Sequence, residues 1–176
     1  FSNKSGAAVV INPNNGEILA LGSFPSYSDN AFYSKNIKKK LKQWHKNPEN
    51  PLFNRVSFGL FPPASTIKPI LALMGLHSKT INLQDEIYDL GFFQIEGTKH
   101  IFRDHKGHSH QWINLQHAIA VSCDTYFYQL AIKLGINNIN TILSQFGFGT
   151  ISATDIKTTS GIINSPKWKR DHKRGA

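Results

Sequence analysis

Apolar positions along the chain follow strand-like patterns at the start and helix-like patterns from the middle onward. Ala7-Ala8-Val9-Val10-Ile11 is a short buried-strand run, and Glu17 to Gly22 is a second. Between them, Asn12-Pro13-Asn14-Asn15-Gly16 is turn chemistry, with Asn and Gly tolerating positive φ and Pro13 fixing φ early, so a hairpin is predicted. Residues 23–63 hold no clean period and are predicted as a long surface excursion with one short basic helix around Ile37 to His45. Pro62-Pro63 stops whatever precedes it, and Ile67, Ile70, Leu71 and Met74 recur at helical spacing, predicting a buried helix from Ser65 to His77. Residues 78–111 read as polar loop, rich in Gly and His from Gly91 to His110. Leu115 to Ala120 reads as a short amphipathic helix. Asp124 is placed as the N-cap of a buried helix over Tyr126 to Leu134, with Gly135 as its C′ residue. A further helix spans Ile139 to Phe146 and stops at Gly147, after which Thr150 to Ala176 reads as extended and polar. Strands first and helices later point to an α+β fold. A two-stranded hairpin is marginal alone, so its sheet is predicted to be incomplete.

The length of 176 residues fits one domain, and 40% hydrophobic with 18% charged residues is a globular composition. The apolar runs are all far shorter than the ~18 residues a membrane span needs. The single cysteine, Cys123, excludes an intrachain disulfide. Twenty Lys+Arg against 11 Asp+Glu give a net charge of +9, concentrated in Lys35 to Lys46 and in Lys167 to Arg174. Such blocks attract polyanions and also serve as ordinary solvated surface.

The sharpest chemistry is Ser65-Thr66-Ile67-Lys68 at a helix start. A serine hydroxyl needs a base within hydrogen-bond reach to become a nucleophile. Residues i and i+3 share a helix face, so Lys68 projects beside Ser65, and burial of the amine disfavours its charged form. Alone, Ser-x-x-Lys also describes a serine cap followed by a surface lysine. Ser122-Cys123-Asp124 adds a second hydroxyl and a carboxylate at another helix entrance. In an extended segment i and i+2 face the same way, so Ser122 and Asp124 share one side and Cys123 takes the other.

With these segments the chain resembles the transpeptidase domain of class B penicillin-binding proteins, in particular the rod-elongation group known as penicillin-binding protein 2. The stretches that carry the resemblance are Val9 to Ala20, Phe61-Pro62-Pro63-Ala64-Ser65-Thr66-Ile67-Lys68-Pro69 and Ser122-Cys123-Asp124-Thr125-Tyr126-Phe127-Tyr128. Gly147-Phe148-Gly149 and Ser165-Pro166-Lys167-Trp168-Lys169-Arg170 extend it. The resemblance implies that Ser65 is acylated, that Lys68 is the base, that Ser122 relays protons and that Asp124 stands where many relatives carry Asn. Ala64 replaces the Gly that usually precedes the nucleophile, which tightens that turn. It further implies peptidoglycan cross-linking by acyl transfer from D-Ala-D-Ala stem peptides during elongation, and acylation by β-lactams. Cell-elongation membrane proteins would be partners through the parent chain, which would be anchored at the periplasmic face of the bacterial inner membrane. The family's third element, Lys-Ser/Thr-Gly, does not occur; Lys157-Thr158-Thr159-Ser160-Gly161 has the letters but not the run. The expectation is therefore an incomplete, serine β-lactamase-like transpeptidase domain over residues 1–176, without third motif, anchor or pedestal.

Asp89, Asp104, His110 and Cys123 comprise the ligand types of a closed tetrahedral zinc site. The residues alone leave many combinations open, because His100, His105, His108, His110 and His117 are clustered, and a buried Cys123 beside a solvated loop fits as well. The resemblance implies these four as a structural zinc site. Three rival readings remain: a catalytically dead, zinc-stabilised fragment, a basic module for an anionic polymer, and a class D-type β-lactamase or sensor. The last typically has Ser-x-Val as second motif, which Ser122-Cys123-Asp124 is not. Only Trp44 lies among the lysines of the first basic block, so the stacking platforms of a nucleic-acid binder are missing and no nucleic acid is expected.

Overall fold

The structure is a computed structural model that describes residues 4–151 and 155–172. It divides into two compact units, Phe1–Phe61 with Ile151–Ser160, and Pro62–Thr150 with Gly161–Ala176.

In the first unit, β1 (Gly6–Ile11) pairs antiparallel with β2 (Ile18–Phe24), Val9 opposite Leu21. Asn12 N donates to Glu17 O and Gly16 N to Asn12 O, and Gly16 takes the positive φ (77°) the reversal requires. Among the described residues these strands pair only with each other, and Val9, Val10, Ile11 and Leu19 are all exposed. The excursion holds the expected basic helix, α1 (Ile37–Lys46), and a single turn, α2 (Arg55–Phe58), capped by the Asn54 side chain. Asp29–Tyr33 adds a 3-10 turn that the pattern did not predict.

The second unit is a helical subdomain. Ala64–Ile67 is a 3-10 turn leading into α3 (Lys68–His77), which Pro69 opens in its first turn. Asn114 caps α4 (Leu115–Ala120) by accepting from His117 N at 3.0 Å. Next come α5 (Asp124–Leu134) and α6 (Ile136–Gln145), separated by Gly135 at φ 75°. Their apolar faces meet in one core of Leu71, Met74, Ile113, Leu115, Tyr126 and Leu130 with their neighbours. Helix α3 comes so close to α5 that a Cβ at Gly75 would lie 2.9 Å from Ile81 and 3.1 Å from Leu130.

Three expectations need correction. Residues 78–111 are not simply loop: β3 (Glu86–Asp89) pairs with β6 (Gln111–Asn114), and β4 (Phe92–Gln94) pairs with β5 (Ile101–Arg103). Each strand is only three or four residues long, too short for alternation to stand out among the polar residues. Asp124 is not the N-cap of α5. Cys123 is, with extended backbone and its Sγ accepting from Tyr126 N at 3.4 Å, which leaves the Asp124 carboxylate free for another partner. The C-terminal segment is not wholly extended, because Pro166–His172 forms α7. Ser165 caps it, its Oγ accepting from Trp168 N at 2.9 Å, and Pro166 occupies the first helical position. Lys173 and Arg174 of the second basic block lie outside the described residues.

Leu130 sits at 2% exposure where α3 and α5 meet. Leu130→Ala is expected to cost about 2–5 kcal/mol, read as a lower urea midpoint with an unchanged slope.

Candidate active site and metal cluster

Two segments distant in sequence converge inside the second unit. Lys68 begins α3 and is only 6% exposed, yet its Nζ has three oxygen acceptors. These are Ser122 O at 2.6 Å, Ser122 Oγ at 3.0 Å and Asp124 Oδ1 at 2.6 Å. The three protons of an ammonium are thereby all used, as a buried cation requires. The Phe127 ring, one turn into α5, lies 5.5 Å from the same nitrogen and covers it. Ser65, in the 3-10 turn before α3, is exposed, and its Oγ accepts from Ser122 Oγ at 3.0 Å. An unbroken line of hydrogen bonds therefore runs from an open hydroxyl, through a second hydroxyl, to a buried amine.

The backbone is bent at both ends of this line. Ala64 has φ 50° and Ser122 φ 57°, left-handed conformations uncommon for residues with a Cβ. Ala64 thus carries a methyl group at a position where glycine would be unstrained. At Ser122 the bend sends Oγ and the carbonyl oxygen to the same amine.

Cys123 points the other way, fully buried, toward Asp89, Asp104 and His110. One ligand atom from each of these four residues lies within 4.8 Å of all the others. His110 Nδ1 is 2.7 Å from Asp89 Oδ2 and 3.7 Å from Asp104 Oδ2, and Cys123 Sγ is 3.6 Å from Asp89 Oδ2. Strand β3 ends on Asp89, Asp104 follows β5 and His110 precedes β6, so the two small sheets carry three donors to the start of α5. The cluster and the lysine pocket share a wall: Asp104 Oδ2 accepts from Asp124 N at 3.0 Å.

Electrostatics give the cluster its chemical character. Burial alone would raise the Asp89 carboxyl, but hydrogen bonds from Thr125, Gly91 N, His110 N and the His110 ring outweigh it and hold it at about 2. Burial pushes the Cys123 thiol up to about 11, and the neighbouring Asp104 and Asp89 add to the rise against hydrogen bonds from Thr125 and Tyr126 N. Two buried carboxylates, an imidazole and a thiol are a donor set that a divalent cation would balance. All four residues fit a metal, and none of the set is left out.

Thr125 was not anticipated. It is fully buried, donates to Asp89 Oδ1 and touches Cys123 Sγ at 3.1 Å, orienting two cluster members at once. Its position one residue after Ser122-Cys123-Asp124 was the available signal. Phe127 was likewise missed as more than core. Residues 157–160 take no regular secondary structure, with Thr159 N donating to Ser57 O at 3.0 Å.

The chain is similar in sequence and fold to known proteins over nearly its whole length. The model of the penicillin binding protein transpeptidase domain matches residues 6–174. The peptidoglycan D,D-transpeptidase MrdA of Acinetobacter baumannii is 42% identical over 170 residues, covering 96% of this chain and 25% of that protein. The chain thus spans about a quarter of the length of this relative. Among solved structures, penicillin-binding protein PBP2 of Helicobacter pylori in complex with MreC superposes with a TM-score of 0.88 at 33% identity, over 99% of this chain and 32% of that one. Penicillin-binding protein A of Mycobacterium tuberculosis, as its penicillin G acyl-enzyme, gives 0.83 at 25% identity, over 92% and 38%.

Thr125→Val keeps the shape and removes the donor to Asp89. It is expected to destabilise the protein by about 1–3 kcal/mol, measured by chemical denaturation in chelator and again with added metal.

Proposed function

The chain belongs to the penicillin-binding protein transpeptidase domain family, and we propose that it carries the acylating machinery of a peptidoglycan D,D-transpeptidase. The observation that supports this reading is the line Ser65 Oγ–Ser122 Oγ–Lys68 Nζ, with both steps at 3.0 Å. Ser65 Oγ attacks the carbonyl carbon of the penultimate D-Ala of a stem peptide. Its proton passes to Ser122 Oγ while the Ser122 proton passes to Lys68 Nζ, which has first passed one of its own protons to the Asp124 carboxylate 2.6 Å away. The same line in reverse returns a proton to the nitrogen of the departing D-Ala, and the acyl group stays on Ser65 as an ester. An amine on a neighbouring strand then attacks the ester carbonyl, forms the cross-link and frees the serine.

Asp124 holds Lys68 aimed at Ser122, and Ser65 N–H is one donor for the oxyanion. The second donor belongs, in this family, to a Lys-Ser/Thr-Gly strand that the sequence lacks. Removing one such donor typically costs ~10²–10³ in rate. The stretch is accordingly read as part of a transpeptidase domain, with 1–176 holding its first two motifs. A β-lactam presents a strained amide to the same hydroxyl and leaves Ser65 acylated. Placement at the periplasmic face of an inner membrane, and contact with elongation proteins such as the MreC seen bound to the Helicobacter pylori relative, belong to the same proposal.

Asp89, Asp104, His110 and Cys123 would hold one zinc ion. Bound there, the metal supplies charge balance and cross-links β3, β5, β6 and α5 rather than activating water, since four protein ligands leave no open position.

Two measurements test this reading. Intact mass after incubation with a penicillin, on the chain and on a version extended through a Lys-Ser/Thr-Gly strand, is expected to show one adduct on the extended protein. Ser65→Ala should abolish it, and Ser122→Ala should slow its appearance ~10²-fold or more. An adduct that persists in Ser65→Ala overturns the nucleophile. Metal analysis is expected to find one zinc per chain, lost in Cys123→Ser with a lower melting temperature; a content near zero in the unaltered protein discards the zinc.

A further inference from the structure

Helix α1 is left unexplained by acyl transfer. Its sequence, Ile37-Lys38-Lys39-Lys40-Leu41-Lys42-Gln43-Trp44-His45-Lys46, puts Ile37, Lys40, Leu41 and Trp44 on one half-buried stripe. Trp44 on that stripe packs against Tyr27 at 5.2 Å and Phe32 at 6.0 Å, within the same unit. Lys38, Lys39, Lys42 and Lys46 lie exposed on the rest of the helix, with Lys35 just before it. From Lys38 to Lys46, eight helical rises, that is a cationic stripe ~12 Å long.

Among the described residues no acid pairs with this charge. No Asp or Glu occurs between Asp29 and Glu49, and among the described residues none of these lysines makes an ion pair. Three lysines in the first turns oppose the helix dipole, the first turn holds no acid, and Lys38 and Lys42 repel at i, i+4. The arrangement costs the helix stability, so its use lies outside the chain.

The chemistry of the free face narrows the partner. A helix that inserts into lipid needs its apolar stripe free, and here Tyr27 and Phe32 already occupy it. A single-strand nucleic-acid binder needs aromatic rings among its cations, and the exposed side of α1 has none. Ammonium groups spaced along a ridge match a flexible polymer bearing repeated carboxylates. We infer that the lysine face of α1 is a docking ridge for peptidoglycan strands, gripping the carboxylates of their stem peptides. The inference rests on the proposed transpeptidase reading, since such strands are the substrate that reading requires.

Co-sedimentation of the full chain with purified insoluble peptidoglycan tests it. The protein is expected to bind, to be released by raised salt, and to bind poorly to peptidoglycan whose carboxylates have been amidated. Changing Lys38, Lys39 and Lys42 together to Glu should weaken binding about eightfold, as three exposed charge pairs each worth a factor of about two would. The same charge change at Lys167, Lys169 and Arg170 should have little effect. Equal losses in the two variants, unchanged binding to amidated peptidoglycan, or binding to phosphatidylglycerol vesicles in preference to peptidoglycan would each overturn the ridge. Ser65→Ala should bind like the unaltered protein. Penicillin acylation separates the two ideas: lost docking with intact acylation in the extended α1 variant supports the ridge, unchanged docking in that variant overturns it, and an adduct that persists in Ser65→Ala overturns the nucleophile and leaves the ridge standing.

Discussion

The site depends on one buried amine. Moving an ammonium from water into a protein interior carries a penalty of several kcal/mol unless its protons are met by well-placed oxygens. Lys68 meets them with two oxygens of Ser122 and one of Asp124. That requirement fixes more than the lysine. It ties the start of α3 to the start of α5, and it is served by the left-handed turn at Ser122 (φ 57°). It also explains why Asp124 does not cap its own helix: its carboxylate is held 2.6 Å from Nζ, and Cys123 takes the capping role instead.

A three-residue segment thereby serves two sites that need opposite polarity. Ser122 and Asp124 face a cation, while Cys123 between them faces two carboxylates and an imidazole. Extended backbone at Cys123 makes this division possible, since alternate side chains point to opposite sides. Asp104 spans the partition: one of its oxygens belongs to the cluster and also accepts from Asp124 N. Any movement of the cluster is therefore felt at the backbone that aims Asp124 at Lys68.

Much of this was legible in the sequence, and the limits have physical causes. Ser65 and Lys68 are three residues apart at a helix start, and Ser122 and Asp124 flank the extended Cys123, so short spacings carry both pairs into the line, although the left-handed turn at Ser122 was not foreseen. Helix α3 follows from its apolar periodicity, and α1, α4 and α6 were expected to within a few residues of their bounds. The strands around the cluster did not show, because β3 and β6 are only four residues long and their inward pair is the partly buried Ile87 opposite the buried Ile113. Helix α7 was overlooked although Ser165-Pro166 is a recognised helix start. Its exposed face gave no apolar period to weigh against a polar composition. Thr125 and Phe127 escaped because their roles are tertiary: each meets a partner more than 30 residues away.

The division of exposure along the hydrogen-bonded line is itself a constraint on mechanism. In the proposed transpeptidase reading Ser65 must be open, since its Oγ has to reach a carbonyl carbon on a polymer. Lys68 is enclosed, its Nζ held by two oxygens of Ser122 and one of Asp124 beneath the Phe127 ring. A side chain cannot be both in contact with solvent-borne substrate and sealed beneath α5 and Phe127. A direct serine–lysine pair would force one of the two requirements to yield. Ser122 resolves the conflict by standing at the boundary, exposed on the Ser65 side and 3.0 Å from the buried nitrogen on the other. A hydroxyl suits this position because it donates and accepts at once, so a proton gained on one side is passed on from the other without net charge on the relay.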